Sequence, residues 1–381
     1  MKKNLGYASL YTFAYGALGV LLPLLGQYLK FIGFSGTQIG SITSAGTATA
    51  IIASTFWGSM YNRSENKKWF ILKLSVAAAA VCFTLHFVHA YVLFLLLVCL
   101  LYFFQAPTIS LVDAMTVEDG KFIGTIRKWG AIGFAAGVFF AGRIAETTGL
   151  SIIFFLYSGC FTIFAAILFM MARGGRRKAS SASETKKGGA LLSIIKNKKF
   201  VKLVVCTFFI GGTTAAHNTF FGFLFVQGGG SIAGIGLAFL LMAGSEAPFI
   251  AYEDKLSKIF TLEKMLFAAM FIGMARYIWY SMCPSATLLL IFFFLQGMSI
   301  GIIIVTFVKY IAKTVSCDDF GIAISVYYAF GSAFSTIVCQ MASGIILDYF
   351  GAAGVYRFFA CMNLIGVILY FLWKLYKKHD I

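Results

Sequence analysis

Basic residues and apolar runs alternate along this chain in a pattern that only one class of fold explains. Of 31 Lys and Arg, four (Lys30, Arg143, Arg276 and Arg357) fall outside every second gap between long apolar stretches and the two chain ends. Lys and Arg beside a membrane span are retained in the cytoplasm, so a chain that crosses a bilayer repeatedly acquires this spacing. A soluble domain has no reason to. Here 60% of residues are hydrophobic and 12% are charged, where a soluble domain carries about 25% charge.

An apolar run of about 20 residues crosses hydrocarbon as a helix. The runs predict about twelve spans, near 5–29, 36–60, 70–89, 91–113, 125–146, 150–172, 200–226, 231–252, 262–281, 285–311, 317–345 and 352–374. The expected fold is an all-α membrane protein. Arg63, Lys67 and Lys68 follow the second span, and Lys121, Arg127 and Lys128 lie between the fourth and fifth. Lys255 and Lys258 follow the eighth. The opposite gaps, such as 228–231 and Cys283-Pro284, are short and nearly uncharged. Both termini are therefore expected in the cytoplasm. Lys2 and Lys3 precede a run too long for a cleavable leader, so the first span is expected to remain.

The net charge of +17 does not indicate nucleic acid, because it lies at span ends and not on one soluble face. Anionic lipid headgroups of the inner leaflet are the expected neighbours. The eight Cys have no paired spacing and read as packing residues, with no disulfide frame, metal site or cofactor expected. Asp, Glu and His are too scattered for a catalytic set, so an enzyme is not expected.

The longest polar stretch, 173–199, is rich in Gly, Ser and Lys and is expected to be mobile at its centre. It divides the chain into bundles of six spans, 1–172 and 200–381. Duplication of this kind marks transporters that rock one half against the other around a midplane site.

Several motifs resemble those of the major facilitator superfamily. Gly58-Ser-Met-Tyr-Asn62-Arg63, followed by Lys67-Lys68, is similar to the family's Gly-x-x-x-Asp-Arg gating loop, with Asn62 in place of the usual Asp. Asn keeps a hydrogen-bond acceptor and loses the charge that stabilises one facing state in the family. Gly19-Val-Leu-Leu-Pro23, Leu111-Val-Asp113, the string from Gly124 through Arg127, Trp129 and Gly133 to Phe134, His217-Asn-Thr-Phe220, Glu246-Ala-Pro248, Arg276-Tyr277 and Gln296-Gly297 follow in order. Together they resemble the lactose-permease-like branch, which also holds phenylpropionate-type and nucleoside permeases. The resemblance covers nearly the whole chain and implies two six-helix bundles, alternating access and proton-coupled uptake of a small polar solute, sugar or glycoside first. Aromatic carboxylates or nucleosides are the alternative, and a lipid flippase or a non-transporting sensor on the same fold is a third.

The candidate binding residues begin with Asp113 and Arg127, an acid and a base at facing helix ends. Arg offers a planar fork to carboxylates or vicinal hydroxyls. The resemblance assigns both to the solute, and Phe134, seven residues past Arg127 on the same face, to stacking on it. Glu246 lies inside an apolar run, where a carboxylate must face a cavity or find a partner, and it is the first candidate for carrying the proton. His217 is the one histidine deep in a span, with Asn218 beside it, and His titrates near physiological pH. Arg276 is an intramembrane cation that needs an anion, Glu246 being one candidate. Glu246, Asp113, His217 and Arg276 are the expected coupling set. Tyr15, Gln105 and Gln296 are candidate lining residues, as are Tyr11 and Gln27. The titrating His and Glu of lactose permease's tenth span are matched here by Gln296 and Ser299, and its buried Asp–Lys pair by Thr214 and Phe293, so that coupling machinery is not intact. Losing both members of such a pair avoids an unpaired charge. Gly133, Gly137 and Gly142, with Gly331 and Gly344, allow close helix contacts.

Overall fold

The computed structural model describes residues 2–120, 123–173, 194, 196–316 and 319–375. Among them are helices α1 (Lys2–Phe31), α2 (Gly36–Arg63), α3 (Lys67–Leu85), α4 (Tyr91–Glu118), α5 (Ile123–Thr148) and α6 (Ile152–Arg173). The second half holds α7 (Lys198–Gln227), α8 (Ile232–Ile259), α9 (Leu262–Tyr280) and α10 (Ala286–Thr314), the last interrupted at Phe293. Residues 320–350 form α11 and 352–372 form α12. Twelve helices therefore stand where twelve spans are expected, and no strand occurs among the described residues. The expected mobile centre of the 173–199 stretch, Lys121, Cys317, Lys377 and Lys378 lie outside the described residues.

Local chemistry sets the helix ends. Ser35 caps α2 through a reciprocal box with Gln38, which satisfies two orphan backbone donors. Asn197 caps α7 by accepting from the amides of Lys199 and Phe200, and its side-chain amide donates to the Thr314 carbonyl at 2.8 Å. That one residue thus starts α7 and ties it to the end of α10. Between α11 and α12 the chain reverses at Gly351, with φ 64° and ψ −169°, a combination essentially confined to glycine.

Several helices outrun the expected spans, α4 and α8 among them. The expected span ending at 113 continues as α4 to Glu118, and the one ending at 252 continues as α8 to Ile259. Asp113 accordingly lies inside its helix, about 7–8 Å before the end at 1.5 Å per residue, and is not a span-end residue.

The chain forms two compact units: 1–183 with Ser231–Leu240, and 184–230 with 241–381. Lipid tails are as apolar as leucine, so helices inside each unit are held by close packing and interhelical hydrogen bonds. In the first unit α1 packs on α5 and α6, α2 on α4, and α3 on α4 and α6. Backbones touch along α1 and α5: a Cβ at Gly133 would strike the Thr12 carbonyl, and one at Gly137 the Gly16 carbonyl. In the second unit α7 meets α11 where Gly211 faces the Gly331 carbonyl. Gly331 lies in a π-helical stretch of α11, Tyr327–Phe334. Many phenylalanines, among them Phe83, Phe87, Phe140, Phe271 and Phe371, project from the surface, as a lipid-facing apolar coat does.

Candidate functional site

In the first unit, α1 and α4 build a small polar site. The Tyr11 hydroxyl donates to the Asp113 carboxylate. Tyr15, one turn along α1, stacks on Tyr11 with centroids 6.3 Å apart and planes 10° from parallel. Gly130 of α5 makes room for it, since a Cβ there would fall 2.7 Å from the Tyr15 ring. Phe134 follows one turn later, half-buried, with its carbonyl against Gly19. The expected partner of Asp113, the Arg127 side chain, lies outside the described residues, although its backbone is on α5. Gln105 and Gln27 are buried, and the Gln105 Oε1 and Gln27 Nε2 atoms have no hydrogen-bond partner. A carboxylate beside two parallel phenols can bind hydroxyls and cover an apolar ring face.

In the second unit, residues from four helices meet around His217. The imidazole of His217 on α7 is fully buried and its Nδ1 lies 2.7 Å from the Tyr356 hydroxyl of α12. Tyr277, Tyr280 and Phe293 surround the ring at centroid distances of 5.9 Å, with Phe221 at 5.2 Å. Arg276 of α9 donates to the Gln296 side-chain oxygen of α10. Its guanidinium carbon lies 4.6 Å from the Tyr277 ring centroid and 5.5 Å from that of Tyr280. Below this layer, Asn363 of α12 donates to the Thr213 hydroxyl at 2.7 Å. The structure thus brings His217, Arg276 and Gln296 together; Asn218, the next residue on α7, is half-buried and its Oδ1 has no hydrogen-bond partner among the described residues.

Glu246 stands apart. Arg276 does not pair with it, contrary to expectation. The carboxylate makes no hydrogen bond or ion pair among the described residues, and it is half-buried on α8. Its backbone packs on α10: a Cβ at Gly297 would come 2.8 Å from the Glu246 nitrogen, and one at Gly301 2.9 Å from its carbonyl. Gln296 and Gly297 are successive residues and point about 100° apart at 3.6 residues per turn. Arg276 and Glu246 therefore meet different flanks of one helix.

The chain matches the profile of the MFS_1-like family over residues 5–358. It belongs to that family. It is similar to the maltose permease of Geobacillus stearothermophilus, with 30% identity covering 94% of this chain and 91% of the relative. It is also similar to the uncharacterized transporter YwbF of Bacillus subtilis (strain 168), with 27% identity covering 98% and 96%. Among solved structures, the nucleoside transporter NupG superposes with a TM-score of 0.84 at 17% identity, over 100% of both chains. A bacterial homologue of the lysosomal transporter Spinster gives 0.75 at 14%, covering 97% and 95%. This member of the major facilitator superfamily is therefore a multi-pass membrane transporter of small solutes, and not an enzyme.

The Gly58–Arg63 motif, expected from its resemblance to act as a gating loop, lies at the end of α2. Gly58 is half-buried, and Asn62 and Arg63 are exposed at the end of α2. The contacts there join the motif's Tyr61 and the following Lys67 to Glu118, and Tyr7 to Asp119, two acids that the motif does not include. Lys67 Nζ is 2.6 Å from the Glu118 carboxylate and lies over the Tyr61 ring, and Tyr61 donates to Glu118 at 3.5 Å. Tyr7 of α1 donates to the adjacent Asp119. The available signal was Glu118-Asp119, an acidic pair in a gap that is otherwise basic. Tyr356, in contrast, has no local signal, being one tyrosine in an apolar run 139 residues from His217.

Proposed function

We propose that this transporter is a proton-coupled symporter of a sugar or glycoside, working by alternating access in a bacterial inner membrane. Both termini are cytoplasmic, anionic inner-leaflet lipids surround the basic loops, and the monomer is the working unit. The coupling reading rests on Glu246, a carboxylate inside an apolar helix with no described partner. A carboxylate so placed is stable when it holds a proton and must find water or a cation when it loses one. Binding a proton and changing face are thereby linked.

The sugar reading is supported by Asp113, Tyr11 and Tyr15, which offer a charged acceptor for hydroxyls beside stacked ring faces. The similarity to a maltose permease supports it as well. Arg127 and Phe134 extend this set along α5. A second reading, a nucleoside or aromatic carboxylate, is favoured by the aromatic walls around His217 and by Arg276.

Uptake by proteoliposomes under an imposed inward proton gradient tests the proposal, with labelled maltose, nucleosides and aromatic acids. Accumulation of the sugar that fails in Glu246→Gln while exchange persists is the expected result. Uptake that only equilibrates, unaffected by gradient or substitution, would overturn the coupling. Accumulation of a nucleoside or aromatic acid instead would select the second reading. Transport of none of them, with lipid movement in its place, would make the protein a flippase.

A further inference from the structure

Of the close glycine contacts between α1 and α5, the one at Gly130 differs in kind. Gly16, Gly19, Gly133 and Gly137 each have backbone of the other helix where a Cβ would go. At Gly130, which is buried, the three nearest atoms all belong to the Tyr15 ring, at 2.7, 3.1 and 3.1 Å from the Cβ position. Carbon atoms in contact stand about 3.5–4.0 Å apart. A methyl at 130 and the ring in its present place therefore exclude each other.

The two helices are not free to part and admit it. Thr12 lies against Gly133, Gly16 against Gly137 and Gly19 against the Phe134 carbonyl, all through backbone atoms. The Thr12 hydroxyl also donates at 3.3 Å to the carbonyl of Trp129, the residue before Gly130. With the backbones pinned, the Tyr15 ring is the part that turns. Its angle matters because it lies parallel to Tyr11 within 10°, at a centroid distance of 6.3 Å that suits offset stacking. Tyr11 in turn holds Asp113. Gly130 stands three residues past Arg127 and four before Phe134, and so on the same face of α5.

We propose that Gly130 is a positioning residue for solute recognition. The space left by its missing side chain seats the Tyr15 ring parallel to Tyr11. The paired ring faces beside Asp113 then favour a solute with an apolar ring face edged by hydroxyls, as a pyranose has. This rests on the reading of Asp113, Tyr11 and Tyr15 as the solute site.

Fluorine NMR of the full-length transporter in detergent, with meta-fluorotyrosine in place of Tyr15, reads the ring without any solute. Gly130→Ala is expected to move that resonance, because the shift depends on the angle and separation of the two rings. Gly159→Ala, which adds a methyl into open space on α6, is expected to leave it in place. An unmoved resonance in Gly130→Ala would overturn the proposal whatever the solute. Uptake of labelled maltose by proteoliposomes reads the consequence. Gly130→Ala should raise KM about three- to tenfold, the worth of an aromatic pair, with the maximal rate held. In a Tyr15→Ala background, where the ring is gone, the same substitution should add nothing. An equal rise there would trace the effect to α1–α5 packing and sink the assignment. If Gly130→Ala alone does not fold, recovery of folding in the double variant supports the ring contact, and no recovery overturns it. Tyr11→Phe separates this proposal from the reading beneath it. A KM that answers Tyr11→Phe and not Gly130→Ala removes Gly130 alone. A KM that answers neither moves the solute site elsewhere, and the proposal falls with it. If nucleosides are carried in place of maltose, they serve as the probe in the same variants.

Discussion

Asp113 and Glu246 are both carboxylates inside helices, and their surroundings separate their work. Asp113 is held by the Tyr11 hydroxyl, which fixes the orientation of a carboxylate in the proposed binding set. A hydrogen bond to a charged group contributes about 1.5–3 kcal/mol. Tyr11→Phe is accordingly expected to raise the KM for the solute roughly tenfold with little change in maximal rate, as loss of uniform binding does. An unchanged KM in uptake kinetics would remove Tyr11 from the binding set. The proximity of Tyr11 to Asp113 was weakly legible, since both residues are polar interruptions of apolar runs, but nothing local says that they meet. Glu246 was fully legible as an anomaly, and its lack of a partner was not. The sequence offered Arg276 as its counter-ion, and the geometry of α10 keeps the two on separate flanks.

At the scale of helices, glycine has two distinct uses, and each predicts its own outcome. On α5, Gly137 allows backbone contact, because a Cβ would collide with the Gly16 carbonyl. Gly137→Ala is expected to lower the thermal stability of the transporter, by an overpacking cost of about 1–3 kcal/mol. At Gly351 nothing lies within 4 Å of an added Cβ, so space is not the constraint. There Ala is expected to cost about 1–3 kcal/mol through backbone strain alone. Gly159 of α6 has ordinary helical backbone and open space, and Gly159→Ala should leave Tm unchanged or raise it. Fluorescence melting of the three variants checks the set, and a loss at Gly159 equal to that at Gly137 would refute the contact argument. The glycines of α5 were readable as contact positions, whereas their partners, α1 for Gly133 and Gly137 and the start of α8 for Gly142, were not.

For the molecule as a whole, the basic gaps make the strongest prediction. Reporter fusions should place the C-terminus in the cytoplasm and the gap around Gly229 outside, because Lys and Arg near span ends resist translocation. Alkaline phosphatase should be inactive at the first position and active at the second. The opposite pattern would invert the orientation and the direction assigned to transport. The coupling test operates at this scale as well, since it asks what the intact carrier does with a proton that a single residue only attracts.

Sequence alone determined the class, the number of spans and the family, because each depends on short-range or additive quantities. Hydropathy sums over about 20 residues, charge bias sums over gaps, and motifs are contiguous. Tertiary structure decided the partners: Tyr11 for Asp113, Tyr356 for His217, Gln296 for Arg276, and Glu118 for Lys67 at the start of α3. These pairs join different helices, three of them 51 to 139 residues apart in the chain. Which residues meet depends on the rotation of each helix about its axis and on how closely glycine lets two backbones approach. Neither quantity is written in any single stretch of the chain.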